Sequence, residues 1–284
     1  MNYELLDFGN DRKLERLGDW ILDRPAPGAG GTRAHPQLWS NATARYQGDR
    51  TTEGAWTPAA NLWHDETLEL PITLSPGAQF TLALSPLPSG QIGIFPEQFE
   101  NWQWITAQAA RTSAMRVLNL FAYTGGSTLA AAVSGAHVTH VDAAKSMVSR
   151  AKENAHRSGL GDAPIRYVIE DALKFCQREV KRSNQYEAVI LDPPTYGHGP
   201  SGEKWSIKRD LLPLLKLCQQ LTTGSLQFAL LSCHTPEVSG ADLSDWLSET
   251  VCAATRQRPQ SGRLDLQTAD GPALASGDFA RWAR

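Results

Sequence analysis

The sequence predicts an α/β protein: an open, mostly parallel sheet wound on both faces by helices, preceded by a small β-rich region. Three observations carry this. From about residue 91 onward, short apolar runs alternate with amphipathic stretches, the pattern of strands joined by crossover helices. Four of these runs end in Gly, Asp or Pro, as Asn119-Leu120-Phe121-Ala122-Tyr123-Thr124-Gly125-Gly126, His140-Val141-Asp142, Ile169-Glu170-Asp171 and Ile190-Leu191-Asp192-Pro193-Pro194-Thr195-Tyr196. Before residue 90, by contrast, apolar residues recur every second position, which marks half-buried strands.

In the first 90 residues, Leu68, Leu70, Ile72 and Leu74 alternate with other residues, and so do Phe80, Leu82 and Leu84. Pro and Gly punctuate this region at Pro25, Pro27, Gly28, Pro71, Pro76, Gly77, Pro86 and Gly90, favouring short strands and turns over helices. Trp20, Trp39, Trp56 and Trp63, with Trp102 just beyond, are read as core filling rather than as a base-stacking platform, because large aromatics dominate core energetics. The expected division is a β-rich domain over 1–90 and an α/β domain over 91–284.

Within the second domain, a helix over Phe99 to Ala110 leads into a first strand, Arg116 to Phe121. A small-residue helix spans Ser127 to about Ser134, and a second strand runs to Asp142. Lys145 to Ser158 forms a helix with Val148, Ala151 and Ala155 on one face and Gly159 as its stop. Ile165 to Ile169 is the third strand, Ala172 to Lys181 a helix, and Tyr186 to Leu191 the fourth strand. A helix is expected over Arg209 to about Leu221, with Pro213 tolerable only in its first turn. Leu226 to Ser232 is the fifth strand. The stretch Arg263 to Trp282 reads as two runs joined at Ala269-Asp270-Gly271-Pro272, a closing β-hairpin.

Composition limits the function. Of 284 residues, 41% are hydrophobic and 20% charged, as in soluble globular proteins. Every apolar run is interrupted before membrane-spanning length, and Met1-Asn2-Tyr3-Glu4 has neither the basic start nor the apolar stretch of a signal peptide. The four cysteines, Cys176, Cys218, Cys233 and Cys252, form no Cys-x-x-Cys pair. This suits a reducing cytoplasm and predicts no metal site. His137 and His140 are close in sequence, but both lie in a strand run. A net charge of -3 argues against a large RNA footprint while leaving room for a local basic groove.

The strand ends carry the chemistry, because ligands of open α/β sheets bind outside the carboxyl ends of the strands. Glycines in the first loop let the backbone approach a ligand, and the spacing is neither Gly-x-Gly-x-x-Gly nor the Gly-Lys-Ser/Thr of nucleotide triphosphatases. Asp142 is placed either to bind ribose hydroxyls or to cap the next helix. Asp171 has the same two options, an adenine amine or a cap, with Glu170 a competing acid. Asp192-Pro193-Pro194-Thr195-Tyr196 is a stiff turn that can hold an acid, carbonyls and a ring against a planar substrate. The segment Gly197 to Trp205, with Lys208 and Arg209, reads either as a flexible lid or as an ordinary mobile loop, with Trp205 as a hydrophobic anchor. Cys233 ends the fifth strand and is read either as a nucleophile beside Asp192 or as a small buried hydrophobe. His234, next in the chain, reads either as an assistant to this cysteine or as a solvated loop residue.

Taken together, Gly93-Ile94-Phe95-Pro96-Glu97-Gln98, Asn119 to Gly126, Val141-Asp142, Glu170-Asp171-Ala172 and Asp192-Pro193-Pro194 resemble the class I S-adenosylmethionine-dependent methyltransferases. The resemblance runs from about Gln91 to Trp282. It is nearest to the bacterial 23S ribosomal RNA cytosine-C5 methyltransferase-like group. It implies a Rossmann-like fold, S-adenosylmethionine bound at Phe95, Tyr123, Thr124, Gly125, Asp142, Asp171 and Asp192, and transfer beside Asp192, Pro193, Pro194 and Tyr196. It also implies RNA as substrate, with Cys233 as nucleophile for cytosine C5, since carbon 5 becomes nucleophilic only after a thiolate adds to carbon 6. No counterpart is expected of the additional N-terminal RNA-binding domain in full-length members. Two rival expectations stand beside this: a nitrogen methyltransferase needing no cysteine, and a non-catalytic module that only binds the cofactor.

Overall fold

The computed structural model describes residues 1–48, 54–57, 68–269 and 271–284. Trp63 and Asp270 of the expected C-terminal turn lie outside the described residues. The chain divides into two compact units. One comprises Met1–Thr73, Thr81–Gln98 and Asp265–Ser276; the other comprises Leu74–Phe80, Phe99–Leu264 and Gly277–Arg284.

The first unit is built on a five-stranded sheet. Strands β1 (Tyr3–Gly9), β2 (Arg12–Leu17) and β3 (Trp20–Pro25) form an antiparallel meander. Strand β4 (Ala44–Gln47) runs parallel to β3, and β5 (Ala55–Thr57) antiparallel to β4. Glu15 is fully buried and pairs with Lys13 at 2.8 Å and with Arg24. Burial pushes its carboxyl up, but the charges of Arg24 and Lys13 outweigh this and hold the pKa at about 2. Trp39 donates to Asp7 Oδ2 at 2.7 Å, and Trp56 meets Tyr46 edge-on. Strands β6 (Leu68–Ser75) and β7 (Ala78–Leu84) form a two-stranded sheet with the expected alternation.

The second unit begins with helix α1 (Phe99–Ala109) and strand β8 (Arg116–Leu120). Then follow α2 (Gly126–Ala132), β9 (His137–Asp142), α3 (Lys145–Arg157), β10 (Ile165–Ile169), α4 (Ala172–Lys181) and β11 (Ala188–Leu191). A small hairpin, β12 (Tyr196–His198) and β13 (Lys204–Ser206), precedes α5 (Ile207–Thr222), β14 (Phe228–Cys233) and α6 (Gly240–Glu249). Strands β15 (Gln260–Gln267) and β16 (Ala273–Ala283) complete the chain. The seven-stranded sheet has the order β10-β9-β8-β11-β14-β16-β15. Its first five strands are parallel, and β16 runs antiparallel to β14. Strands β11 and β14 are buried at every position, which is why they read as unbroken apolar runs.

Three expectations are corrected. Helix α5 starts at Ile207 rather than Arg209, because Asp210 Oδ2 accepts the Ser206 N–H at 2.8 Å and Ile207 is buried. Pro213 falls in the second turn, where its ring takes the place of the donor to the Arg209 carbonyl. The segment expected to be a flexible lid is the β12–β13 hairpin, paired as Tyr196↔Ser206, Gly197↔Trp205 and His198↔Lys204. Helix α6 was not foreseen, although Ser239 and Asp242 form a capping box there.

The glycine pair after β8 is required by the protein's own packing. A Cβ on Gly126 would stand 2.6 Å from Trp102 Cζ2 and 2.8 Å from Cε2. The buried indole is itself wedged edge-on against Phe80 at 5.7 Å, so it has little room to retreat. Gly126→Ala is expected to destabilise the protein by about 1–3 kcal/mol, as overpacked cores do. Urea unfolding would check this, and a variant as stable as the parent would contradict it.

Candidate functional site

Parallel register aligns Leu231, Leu191, Leu120, Val141 and Val168 across the sheet. The next residue along each chain is Ser232, Asp192, Phe121, Asp142 and Ile169, a row along one sheet edge. Strand order reverses at β8, with β9 and β10 to one side and β11 and β14 to the other. That reversal is where an open α/β sheet forms its ligand crevice. Asp142 and Asp192 stand on strands either side of β8, with backbones roughly 10 Å apart at ordinary strand spacing.

The loop leaving β8 takes an uncommon path. Phe121, Tyr123 and Gly125 have φ values of 55°, 51° and 93°. Left-handed backbone at non-glycine residues costs about 1–3 kcal/mol each, so other groups must hold it. Asp142 Oδ2 accepts the Tyr123 N–H at 2.8 Å, and buried Asn154 on α3 donates to the Thr124 carbonyl at 2.9 Å. Below the loop, Asn119 Nδ2 donates to Thr128 Oγ1 at 2.9 Å, and Thr128 Oγ1 lies 2.9 Å from His140 Nδ1. Burial lowers the His140 pKa to about 3, keeping the ring neutral. At Gly125 a Cβ would press on Ala151 Cβ at 3.2 Å.

The two cofactor-side acids differ. Asp142 Oδ1 also accepts the Ala144 N–H at 2.8 Å, and Ala144, not Asp142, is the N-cap of α3. The capping alternative therefore fails for Asp142. Burial raises its pKa, against the pull of the Ala144 and Tyr123 N–H groups. Each oxygen keeps a second lone pair, which suits a ribose diol. Asp171 does cap α4, accepting the Lys174 N–H at 3.0 Å, and its other oxygen is not used by the cap. Glu170 pairs with Arg178. Acids at two successive strand ends beside a braced backbone loop match the acceptors that a nucleoside's hydroxyls and amine need. Phe95 falls in the other unit.

On the far side of β8, Asp192 Oδ1 accepts from Ser232 Oγ at 2.8 Å and lies 3.5 Å from His234 Nε2. Both the Asp192 and His234 side chains are 27% exposed, so His234 is a member of this cluster rather than a solvated loop residue. Pro193 is buried and Pro194 exposed. The Pro194 carbonyl accepts from Trp205 Nε1 at 2.7 Å, and Thr195 Oγ1 lies 2.7 Å from Thr235 Oγ1. Tyr196 is 72% exposed. Cys233 is 1% exposed and packs in the main core cluster. Its sulfur accepts the Thr235 N–H at 3.3 Å. Burial raises the thiol pKa, and the charges of Asp192 and Asp278 push the same way, against the Thr235 hydrogen bonds.

Ser232 was missed as a site residue by sequence reasoning, and His234 was weighed only as an assistant to the cysteine. Period two along β14 puts Ser232 on the face opposite Cys233, and His234 follows directly after the strand's end. Among the described residues, no group of three or more His, Cys, Asp or Glu side chains could hold a metal ion. Nor is any described helix long and apolar enough to cross a membrane.

Comparison with known proteins agrees with this geometry. The family model for S-adenosylmethionine-dependent methyltransferases matches residues 43–259. The crystal structure of the SAM-dependent methyltransferase from Agrobacterium tumefaciens is 34% identical, with a TM-score of 0.89 over 100% of this chain and 90% of that one. The structure of SMU.776 complexed with S-adenosylhomocysteine is 18% identical, with a TM-score of 0.69 over 99% of this chain and 74% of that one, a likeness of fold alone. Ribosomal RNA large subunit methyltransferase I of Aeromonas salmonicida is 32% identical over 105 residues, 37% of this chain and 26% of that protein. Ribosomal RNA large subunit methyltransferase K/L of Shewanella frigidimarina is 34% identical over 107 residues, 37% of this chain and 15% of that protein. The chain thus spans only a minor part of the length of these curated relatives.

The bracing of the loop after β8 predicts that Asn154→Leu, which leaves the Thr124 carbonyl without its side-chain donor, weakens S-adenosylhomocysteine binding about tenfold, or ~1.4 kcal/mol. Calorimetric titration measures this directly, and unchanged affinity would show that Asn154 does not hold the loop in its binding shape.

Proposed function

Because the chain belongs to the S-adenosylmethionine-dependent methyltransferase family, we propose that it methylates RNA, at a nitrogen of a base presented to the Asp192-Pro193-Pro194-Thr195-Tyr196 loop. The observation that carries this is the contrast at the end of β14. Asp192, Ser232 and His234 form a partly exposed polar cluster, whereas Cys233 is buried with a raised pKa.

In this reading S-adenosylmethionine supplies an electrophilic methyl group, and the protein supplies placement and a route for a proton. Tyr123, Thr124 and Gly125 flank the methionine part, Asp142 takes the ribose and Asp171 the adenine amine. The acceptor base stacks on exposed Tyr196, since aromatic rings accept any base face. Exposed Lys204 and Lys208 stand on and after β13 to meet phosphates, while the net charge of -3 keeps the footprint local. Asp192 accepts a hydrogen bond from the base amine. An amine attacks through its lone pair and then sheds a proton, for which Asp192 and His234 offer neighbouring acceptors. The RNA assignment is also supported by the names of the curated relatives, ribosomal RNA methyltransferases.

A second reading, transfer to cytosine C5 through Cys233, draws on the position of this thiol one residue from Ser232 and close enough to Asp192 for that charge to act on it. It requires a thiolate, which burial opposes.

Two experiments separate these readings. Mass spectrometry of nucleosides from large-subunit ribosomal RNA of deletion cells should show the loss of one N-methylated nucleoside, restored by the purified protein with S-adenosylmethionine. Loss of 5-methylcytidine would support the second reading, and an unchanged profile would remove the ribosomal substrate. On RNA from the deletion strain, Asp192→Asn should lower kcat by about 10²-fold or more, the scale of a lost acid–base group, and Cys233→Ala should stay within about threefold of wild type. The reverse ranking would sink the nitrogen reading.

A further inference from the structure

One indole touches both halves of the site. Trp205 on β13 is 5% exposed. Its Nε1 donates to the Pro194 carbonyl at 2.7 Å, inside the acceptor loop. Its ring lies 4.8 Å, centroid to centroid, from Phe121, the first residue of the cofactor loop and one of its left-handed positions. The backbone around it is fixed as well, since Trp205 pairs with Gly197 across the hairpin and the Ile207 N–H donates to the Thr195 carbonyl at 3.0 Å.

We propose that Trp205 is a positioning residue that couples occupancy of the cofactor loop to the geometry of the acceptor loop. This rests on reading residues 121–125 as the cofactor loop. Any adjustment of the loop on binding moves Phe121, because alternating left-handed residues leave it few independent backbone states. Close-packed aromatic rings pass such a shift on rather than absorb it. At the other edge of the indole, the N–H bond turns ring motion into motion of the Pro194 carbonyl, two residues from Asp192. The hairpin is thus a lever arm rather than a lid. It lets the acceptor loop take its working shape when the methyl donor is in place, which favours acceptor binding after the donor.

The test uses the whole protein labelled with 5-fluorotryptophan, one of nine tryptophans being Trp205. Its fluorine resonance is assigned through Trp205→Phe, or Trp205→Tyr if the first variant does not fold. S-adenosylhomocysteine is then titrated, with calorimetry in parallel. The expected result is binding with a saturable shift of the Trp205 resonance, which falls by at least half in Phe121→Leu at saturating ligand. Trp205→Phe, which keeps a ring and loses the N–H, should raise KM for deletion-strain RNA tenfold or more, with the affinity for S-adenosylhomocysteine within threefold. Binding with a silent Trp205 resonance, or a shift that persists undiminished in Phe121→Leu, overturns the coupling and leaves the cofactor loop standing. Absence of binding overturns both.

Discussion

Three left-handed residues within five, Phe121, Tyr123 and Gly125, form the constraint on which the site depends. Such a path is unfavourable by itself. It persists because Asp142 and Asn154 hold its backbone from two neighbouring elements, and because a buried chain from Asn119 through Thr128 to His140 fills the space beneath it. Asp142 has two duties in this account. It anchors the loop through Tyr123, and its remaining lone pairs face the crevice. The residue proposed for the ribose is therefore also the one that shapes the wall beside it, and the two functions cannot be separated by mutation of Asp142 alone.

The same economy appears across the switch point. Asp192 is fixed by Ser232, the Pro194 carbonyl by Trp205, and Thr195 by Thr235. A stiff acceptor loop suits a reaction that needs alignment of donor and acceptor more than it needs acid–base power, because orientation alone supplies a large share of the barrier reduction. The first unit adds a second sheet, where buried Glu15 is paired with Lys13 and Arg24, and buried Asp23 with Arg12 and Arg45.

The parallel sheet was legible in the sequence for a physical reason: β11 and β14 are buried on both faces, so their apolar runs carry no alternation to confuse. The strand-end acids were legible because polar residues at those points interrupt the runs. What the sequence did not disclose were effects of packing and register. Gly126 reads as a ligand-facing glycine, but Trp102 fills the space its side chain would occupy. Helix α5 reads as starting at Arg209, yet the Ser206–Asp210 bond starts it at Ile207. The glycine-rich stretch after Tyr196 reads as a flexible lid, though Trp205 pins it into a hairpin. Cys233 drew attention as the reactive-looking residue of its strand, while the alternation of β14 turns Ser232 toward Asp192 and the thiol toward the core. That last point could have been read from period two alone.

The central claim is that the acceptor centre is Asp192 with Ser232 and His234, and that Cys233 lies behind it. A crystal structure with S-adenosylhomocysteine bound tests this most directly. The account predicts that the homocysteine sulfur faces the Asp192 carboxylate across the crevice, with Cys233 Sγ still bonded to the Thr235 N–H and screened by β14. A Cys233 side chain turned into the crevice and lying open beside that sulfur would contradict it.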